Sequence, residues 1–302
     1  MNAPSAQPEL AALALSILRS DFLRGGSAGA AYQEWFHFWI STSGLDFLLN
    51  FSVTQAPSHA PGASIARARV VVLVREGAGW DGDAENIEHD TVELREGRVF
   101  ARMGEHSFDF EDGVFRVRGK SRRRAIDFDL RLVPCSFPSA AHNASLGPDL
   151  PSINWLAVPY LKAHGVVVVA GRTHTLSDAQ SYHDHNWGSF SQRDLSWQWG
   201  HVTAATGQQP ISAVFARLLN RAQTQVHVQS LLLWHGARQL RVLRDEEIQV
   251  RAMGQSGQRP FTVPRAAALL LGDFTACVPA RFEFGARGHG DGFATALGNS
   301  GE

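Results

Sequence analysis

Cysteine is almost missing from this chain: Cys135 and Cys277 are the only two in 302 residues, too few for a disulfide framework or a cysteine-built zinc site. Both read as inert core thiols. Positive charge is not in surplus either. The chain carries 28 basic and 29 acidic residues, a formal net charge of -1, so it has no excess to release counterions from nucleic acid, and nucleic acid is excluded as a partner. Only Lys120 and Lys162 are lysines; every other basic residue is arginine. No segment reaches the 18 or so apolar residues of a membrane span. No Lys or Arg precedes the apolar stretch Leu10 to Leu18, so the charged start of a secretory signal is missing and a cytoplasmic protein is expected. The sequence has no Walker loop, no dinucleotide fingerprint after a strand and no Gly-x-Ser-x-Gly elbow, which leaves no expected nucleotide.

What is present is an ordinary globular composition, 44% hydrophobic and 19% charged, at a length that favours two domains. Leu10, Leu13, Ala14, Ile17 and Leu18 follow helical spacing after Pro8, which predicts one short amphipathic helix. From Tyr32 onward the pattern changes to short runs rich in Val, Phe, Arg and Trp between Gly-containing turns, as in an antiparallel meander. Within Ile126 to Leu132, the residues Ile126, Phe128, Leu130 and Leu132 alternate with Asp127, Asp129 and Arg131, so one face is buried and the other wet. The stretch from Cys135 to Ser152, with four nearby prolines, reads as a loop. The basic run Arg116 to Arg124 reads as a solvated hairpin turn, with peripheral contact to an anionic membrane surface as the other use for it. The second half is again mainly β, ending in a Gly-rich tail from Gly285 that reads as frayed. The sequences Trp35-Phe36-His37-Phe38-Trp39 and Trp197-Gln198-Trp199-Gly200-His201 echo each other. An all-β fold of two antiparallel barrels buries such faces without open edges.

The densest chemistry is Tyr182-His183-Asp184-His185-Asn186-Trp187-Gly188. In an extended strand, His183, His185 and Trp187 share one face, and Tyr182, Asp184 and Asn186 the other. So polar a strand among apolar neighbours implies either a cavity or an internal hydrogen-bond network. Two histidines at i and i+2 can also hold one metal ion, with His37, His174 or His201 as further ligands, but no spacing selects them and no metal is assigned.

The heptad, with Trp197-x-Trp199 soon after, resembles the carotenoid 1,2-hydratase (hydroxyneurosporene synthase) family of lipocalin-like proteins, and the likeness spreads from about Trp35 to about Trp234. The resemblance implies two tandem lipocalin-like barrels: an N-terminal extension with a short helix over 1–27, a first barrel over 28–178, and a second over 179–302 that carries the heptad. It also implies no organic cofactor and a hydrophobic small-molecule substrate; relatives include prenyl-chain hydratases and fungal Diels-Alderases. The family's active-site His and Trp fall on His185 and Trp187, and the implied reaction is protonation of an isoprenoid double bond followed by water capture of the carbocation. Asp184, if burial raises it from about 3.9, or the imidazolium of His185 would donate the proton. Trp187, Trp197 and Trp199 would stabilise the cation by about 0.5–2 kcal/mol per ring. Tyr182, His183, Asn186, Trp197, Trp199, His201, His37 and Trp39 complete the expected substrate-binding set. The chain departs from the family at Ile211 to Phe215, where a Tyr-x-Asp pair is expected and no acid occurs. Three functions follow: a hydratase, a cofactor-free cyclase acting by orientation and electrostatics, or a non-catalytic lipid carrier.

Overall fold

The computed structural model describes residues 6–24, 32–55, 65–77, 79–145, 152–190, 195–204, 209–252, 262–264, 277–279, 281–286 and 293–301. The chain divides into two compact units, Met1–Asn143 with Pro151–Phe190, and Ala144–Leu150 with Ser191–Glu302.

The first unit begins with α1 (Ala6–Ser20), where Leu13 and Ile17, one turn apart, are buried. Glu9 in the first turn and Arg19 in the last suit the helix dipole. Twelve strands follow: β1 (Tyr32–Ser41), β2 (Leu45–Gln55), β3 (Ile65–Glu76), β4 (Gly79–Ile87), β5 (Val92–Leu94), β6 (Phe100–Met103), β7 (His106–Glu111), β8 (Val114–Lys120), β9 (Ile126–Pro134), β10 (Ser139–Ser145), β11 (Ser152–Val169) and β12 (Arg172–Gly188). They form one sheet in the order β4-β3-β2-β1-β12-β11-β9-β8-β7-β6-β5, with β10 on β11. The sheet curls into one nearly closed barrel. Its interior is filled, not hollow: Phe36, Phe38, Phe47, Phe51, Phe108, Phe110, Phe115 and Phe128 lie in a single core with Leu13 and Ile17 of α1. The alternation expected in β9 holds, with Ile126, Phe128, Leu130 and Leu132 buried and Asp129 and Arg131 exposed.

The two end strands of this sheet leave a seam, which side chains close. Asp83 of β4 accepts from Ser121 Oγ at 3.0 Å and Arg123 N at 3.2 Å. Glu85, also on β4, accepts from Arg122 N at 3.0 Å and meets His106 Nε2 at 3.2 Å. The carboxylates thus take amides of the β8–β9 turn that strand pairing leaves without partners, and tie β4 to the far side of the sheet. Burial holds the His106 imidazole below its ordinary value in spite of Glu85. Its ring lies so close to Gly119 that a Cβ there would sit 2.3 Å from Nδ1.

Several expectations are corrected. The boundary expected at 178/179 cuts through β12, a strand paired along its length with β1 and β11; the heptad therefore belongs to the first unit, because those backbone ladders hold it there. The expected loop from Cys135 to Ser152 contains β10, which pairs β11. The basic run is laced with acids: Arg116 pairs Glu111 and Asp112, Arg118 pairs Asp129, Lys120 pairs Asp127, and Arg124 pairs Asp81. Little positive charge is left over for an anionic surface.

The second unit holds β13 (Leu195–Ala204), β14 (Ile211–Asn220), β15 (Val226–His235), β16 (Arg238–Arg244), β17 (Ile248–Ala252), β18 (Thr262–Pro264), β19 (Cys277–Pro279), β20 (Arg281–Ala286) and β21 (Phe293–Gly301). Seven of them form a sheet in the order β16-β15-β14-β13-β21-β20-β17, and β18 pairs β19. Its core is small, built on Ala213, Phe215, Leu231, Leu243 and Ile248. Among the described residues this is one modest sheet, not the second closed barrel expected. The tail expected to fray contributes β21, whose pairing with β13 and β20 supplies backbone partners. No helix among the described residues is long and apolar enough to cross a membrane.

The seam yields a test. Glu85→Ala leaves His106 and the Arg122 amide without their acceptor, and should destabilise the first unit by about 1–3 kcal/mol in denaturant unfolding. A change near zero would show that the seam does not depend on these bonds.

Candidate active site

Pairing of β12 between β1 and β11 decides which side of the barrel wall each heptad residue faces. His185 lies opposite Phe36 and Leu156, and His183 opposite Phe38 and Val158; all four neighbours belong to the core. Asp184 lies opposite His37 and Ala157, and Asn186 opposite Trp35 and Trp155. The period-two separation of the heptad is therefore present, and the two faces do different work.

On the core face, both histidines are fully buried and stacked on phenylalanines, Phe36 on His185 at 3.9 Å and Phe38 on His183 at 4.4 Å between ring centroids. His183 donates from Nδ1 to the His37 carbonyl at 2.9 Å, and its Nε2 meets Asp21 Oδ2 at 2.8 Å. His185 Nδ1 meets Asp21 Oδ1 at 3.1 Å and its Nε2 meets Glu34 Oε1 at 2.8 Å. Both nitrogens of His185 face carboxylate oxygens, the arrangement that suits an imidazolium with two N–H donors. Burial works against its charge, but the bonds and charges of Asp21 and Glu34 outweigh burial and hold His185 above its ordinary value. Burial likewise opposes the Asp21 charge, and the two histidines outweigh it and lower Asp21. Glu34 also accepts from Arg24 N at 2.8 Å and Tyr32 OH at 3.1 Å. Trp187 closes this face: the Arg24 guanidinium lies 4.6 Å from its ring centroid and His185 4.7 Å.

The expected catalytic pair thus lies on the other face of the strand from Asp184. His185 and Trp187 do share a face, but it is the packed interior, where both nitrogens of His185 are engaged and the indole already stacks on a guanidinium. Among the described residues no group of three or more His, Cys, Asp or Glu is arranged to hold a metal ion, and the i, i+2 histidines bind carboxylates instead.

The other face is of a different character. Asp184 accepts from Tyr182 OH at 2.9 Å through Oδ2 and from Asn186 Nδ2 at 2.7 Å through Oδ1. Around them on the same face stand Trp35, His37 and Trp39 of β1 and Trp155 of β11. Tyr182 lies 6.5 Å from the His37 ring, and Trp39 meets Trp80 edge-on at 6.0 Å. Burial pushes the Asp184 carboxyl up to about 7; the Tyr182 hydroxyl, the charges of His183 and His185 and the Trp155 indole N–H restrain the rise. A carboxyl with that value is substantially protonated at neutral pH and can give up its proton there. Trp197, Trp199 and His201 alternate along β13 and share one face of the second sheet with Val214 and Leu232 of the neighbouring strands. Burial lowers His201 to about 3, so its ring is neutral.

Asp21 and Glu34 were not among the expected residues. Glu34 had a signal: it alternates with Tyr32, Phe36 and Phe38 on the core face of β1, where an acid needs a partner. Asp21 had one as well: it continues the helical spacing of Leu13 and Ile17, and its N–H donates to the Ile17 carbonyl at 2.8 Å, which puts it on the same buried face.

No family model matches the chain, and no curated protein does. Solved structures do. A Nitrosomonas europaea protein provisionally named AttH aligns with a TM-score of 0.61 at 14% identity, over 87% of this chain and 83% of that one. Kievitone hydratase from Nectria haematococca aligns with a TM-score of 0.53 at 13% identity, over 90% and 76%. CghA bound to Sch210972 aligns with a TM-score of 0.51 at 13% identity, over 86% and 73%. At these identities the likeness is one of fold.

The core network predicts its own pH window. The Asp21 contribution exists above its unfolded value near 3.8 and is lost as pH falls through its lowered folded value. The His185 contribution is complete below its unfolded value near 6.5 and is lost as pH rises through its raised folded value. Both act fully between about pH 4 and about pH 6.5. Asp21→Ala should therefore cost about 3–5 kcal/mol at about pH 6, measured by denaturant unfolding, with a smaller cost in strong acid. An equal cost at every pH would contradict the ion-pair account.

Proposed function

We propose that the chain is an enzyme of the hydratase or cyclase kind that acts on a hydrophobic small molecule, with Asp184 as its acid. The observation that carries this is the buried Asp184 carboxyl, raised to about 7 and set among Tyr182, Asn186 and the aromatic rings of β1 and β11. Kievitone hydratase, which shares the fold, supports a hydratase first. The catalytic step is proton transfer from Asp184 to one carbon of an isoprenoid-type C=C bond, leaving a tertiary carbocation. Water then adds to the cation and loses a proton, which restores the acid. Trp35, Trp39 and Trp155 are suited to hold an apolar chain and to stabilise the cation by about 0.5–2 kcal/mol per well-placed ring. His37, Tyr182 and Asn186 would position the substrate around the carboxyl, and Trp197, Trp199 and His201 are proposed binding residues of the second unit. His185, His183 and Trp187 support this site from behind and do not touch substrate. A carotenoid such as lycopene or neurosporene is the proposed substrate type.

A second reading, cofactor-free cyclisation of a polyene, draws on the same protonated carboxyl, which can hold a hydrogen bond to a substrate carbonyl at neutral pH. Mass separates the two. Cells making lycopene or neurosporene together with this protein should accumulate a pigment heavier by one water, and Asp184→Asn should abolish it. Pigment of unchanged mass but altered absorbance would favour the cyclase, and unaltered pigment with soluble protein would reject both for this substrate.

The acid must be protonated to act, so turnover should fall as pH rises through about 7. Burial of a carboxyl raised in this way also costs stability progressively from about pH 4 to about pH 7 and leaves a constant penalty above. Asp184→Asn should therefore remove turnover without lowering the melting temperature at about pH 8, and should raise it by a few degrees. A strongly lowered melting temperature would mark Asp184 as a structural residue.

A further inference from the structure

Asp184 and His185 are consecutive residues on opposite faces of one strand, so the carboxyl and the imidazole are separated by little more than the thickness of the backbone. The wall between them excludes water, as both residues are buried. His185 is gripped by Asp21 at 3.1 Å and Glu34 at 2.8 Å, one carboxylate on each ring nitrogen, and cannot turn away. We propose that Asp21 and Glu34 are positioning residues for the acid on the far face: by holding His185 as a fixed positive charge behind β12, they set the charge against which Asp184 ionises.

This rests on the assignment of Asp184 as the acid and deepens it. Among the described residues, these groups face Asp184. On its own strand these are the Tyr182 hydroxyl and the Asn186 amide; from β11 comes the Trp155 indole; and His37 of β1 is its register partner. Behind the strand lie His183 and His185, and beyond them Asp21, Glu34 and the Arg24 guanidinium. Tyr182, Asn186 and Trp155 act by donating hydrogen bonds, while the buried network acts through its charge. Its charge depends on residues distant in sequence, since Asp21 follows the helix and Glu34 lies on β1. In so poorly solvated a wall, one unit charge at this range is worth a shift of about one pH unit.

The arrangement makes the same prediction for two conservative variants by different routes. His185→Gln keeps a donor for a carboxylate but removes the positive charge, so the Asp184 titration midpoint should rise by about one pH unit. Glu34→Gln keeps an acceptor for His185 but removes one of the two carboxylates that hold its charge, so the imidazole should lose its proton at lower pH and the Asp184 midpoint should rise with it. Carboxyl-carbon NMR of aspartate-labelled protein follows this titration without any substrate, the Asp184 signal being assigned by its loss in Asp184→Asn. Imidazole-nitrogen NMR of the unaltered protein should find His185 with both nitrogens protonated at about pH 7.

A midpoint unmoved in both variants, or lowered in Glu34→Gln, overturns the proposal, as does a neutral His185. If His185→Gln does not fold, Glu34→Gln decides alone: a raised midpoint together with an imidazole that loses its proton at lower pH supports the proposal, and an unchanged or lowered midpoint rejects it. An Asp184 that titrates in the ordinary carboxyl range in the unaltered protein would defeat the assignment of the acid, while the imidazole signals would still report whether Asp21 and Glu34 hold a charge.

Discussion

The first unit is organised around a charge that cannot be left without partners, the imidazolium of His185. An ion removed from water into an apolar core costs several kcal/mol after relaxation, and only close, well-aligned counter-charges offset this. Asp21 and Glu34 supply them from two different parts of the chain, one beyond the end of α1 and one on β1. The helix is thereby tied to the barrel by more than Leu13 and Ile17. The segment from Asp21 to Arg24 becomes part of the wall, with the Arg24 amide on Glu34 and its guanidinium over Trp187. The interior of the barrel, among the described residues, is lined by phenylalanine side chains, two histidines and their acids.

The opposite side of β12, where the proposed acid lies, is of another kind. There the same strand presents Tyr182, Asp184 and Asn186 beside Trp35, His37, Trp39 and Trp155. Aromatic rings lower the local dielectric and disfavour the carboxylate, while their faces suit an apolar substrate and a developing cation. Burial that is unfavourable for stability is thus the condition that makes Asp184 useful as an acid near neutral pH. Tyr182 and Asn186 keep the carboxyl oriented without forcing it to ionise completely. The two faces are opposed in their electrostatics: one accumulates counter-charges to keep an ion, the other withholds them to keep a neutral acid.

Much of this was legible in the sequence because period two is a strong constraint. It separated His183, His185 and Trp187 from Tyr182, Asp184 and Asn186, and it placed the wet and dry faces of β9. It could not say which face of β12 looked inward, since each carries polar and aromatic residues; only the pairing with Phe36, Phe38, Leu156 and Val158 decides that. The pairing puts His185 and Trp187, expected as the catalytic pair, on the inward face. The unit boundary failed for a related reason. The heptad was read as the opening of a new barrel, whereas its strand is a long one inserted between β1 and β11, a non-local pairing that leaves no trace in local composition. Asp21 lies one turn beyond Ile17 at helical spacing, so its direction was legible, but its partners on β12 and β1 were not, because they are distant in sequence.

The missing acid between Ile211 and Phe215 takes on a different meaning in this light. Those residues run along β14 of the second unit, where Ser212, Ala213, Val214 and Phe215 are buried. A carboxylate placed among them would require its own compensating donors, and Phe215 instead contributes to the small core of that sheet. Acid catalysis needs one carboxyl that is neutral near the working pH and close to donors that steady it. The Tyr182-x-Asp184 pair already has this form inside the heptad, with the hydroxyl on the carboxyl at 2.9 Å. The apolar stretch on β14 therefore leaves the proposal of Asp184 as the acid intact.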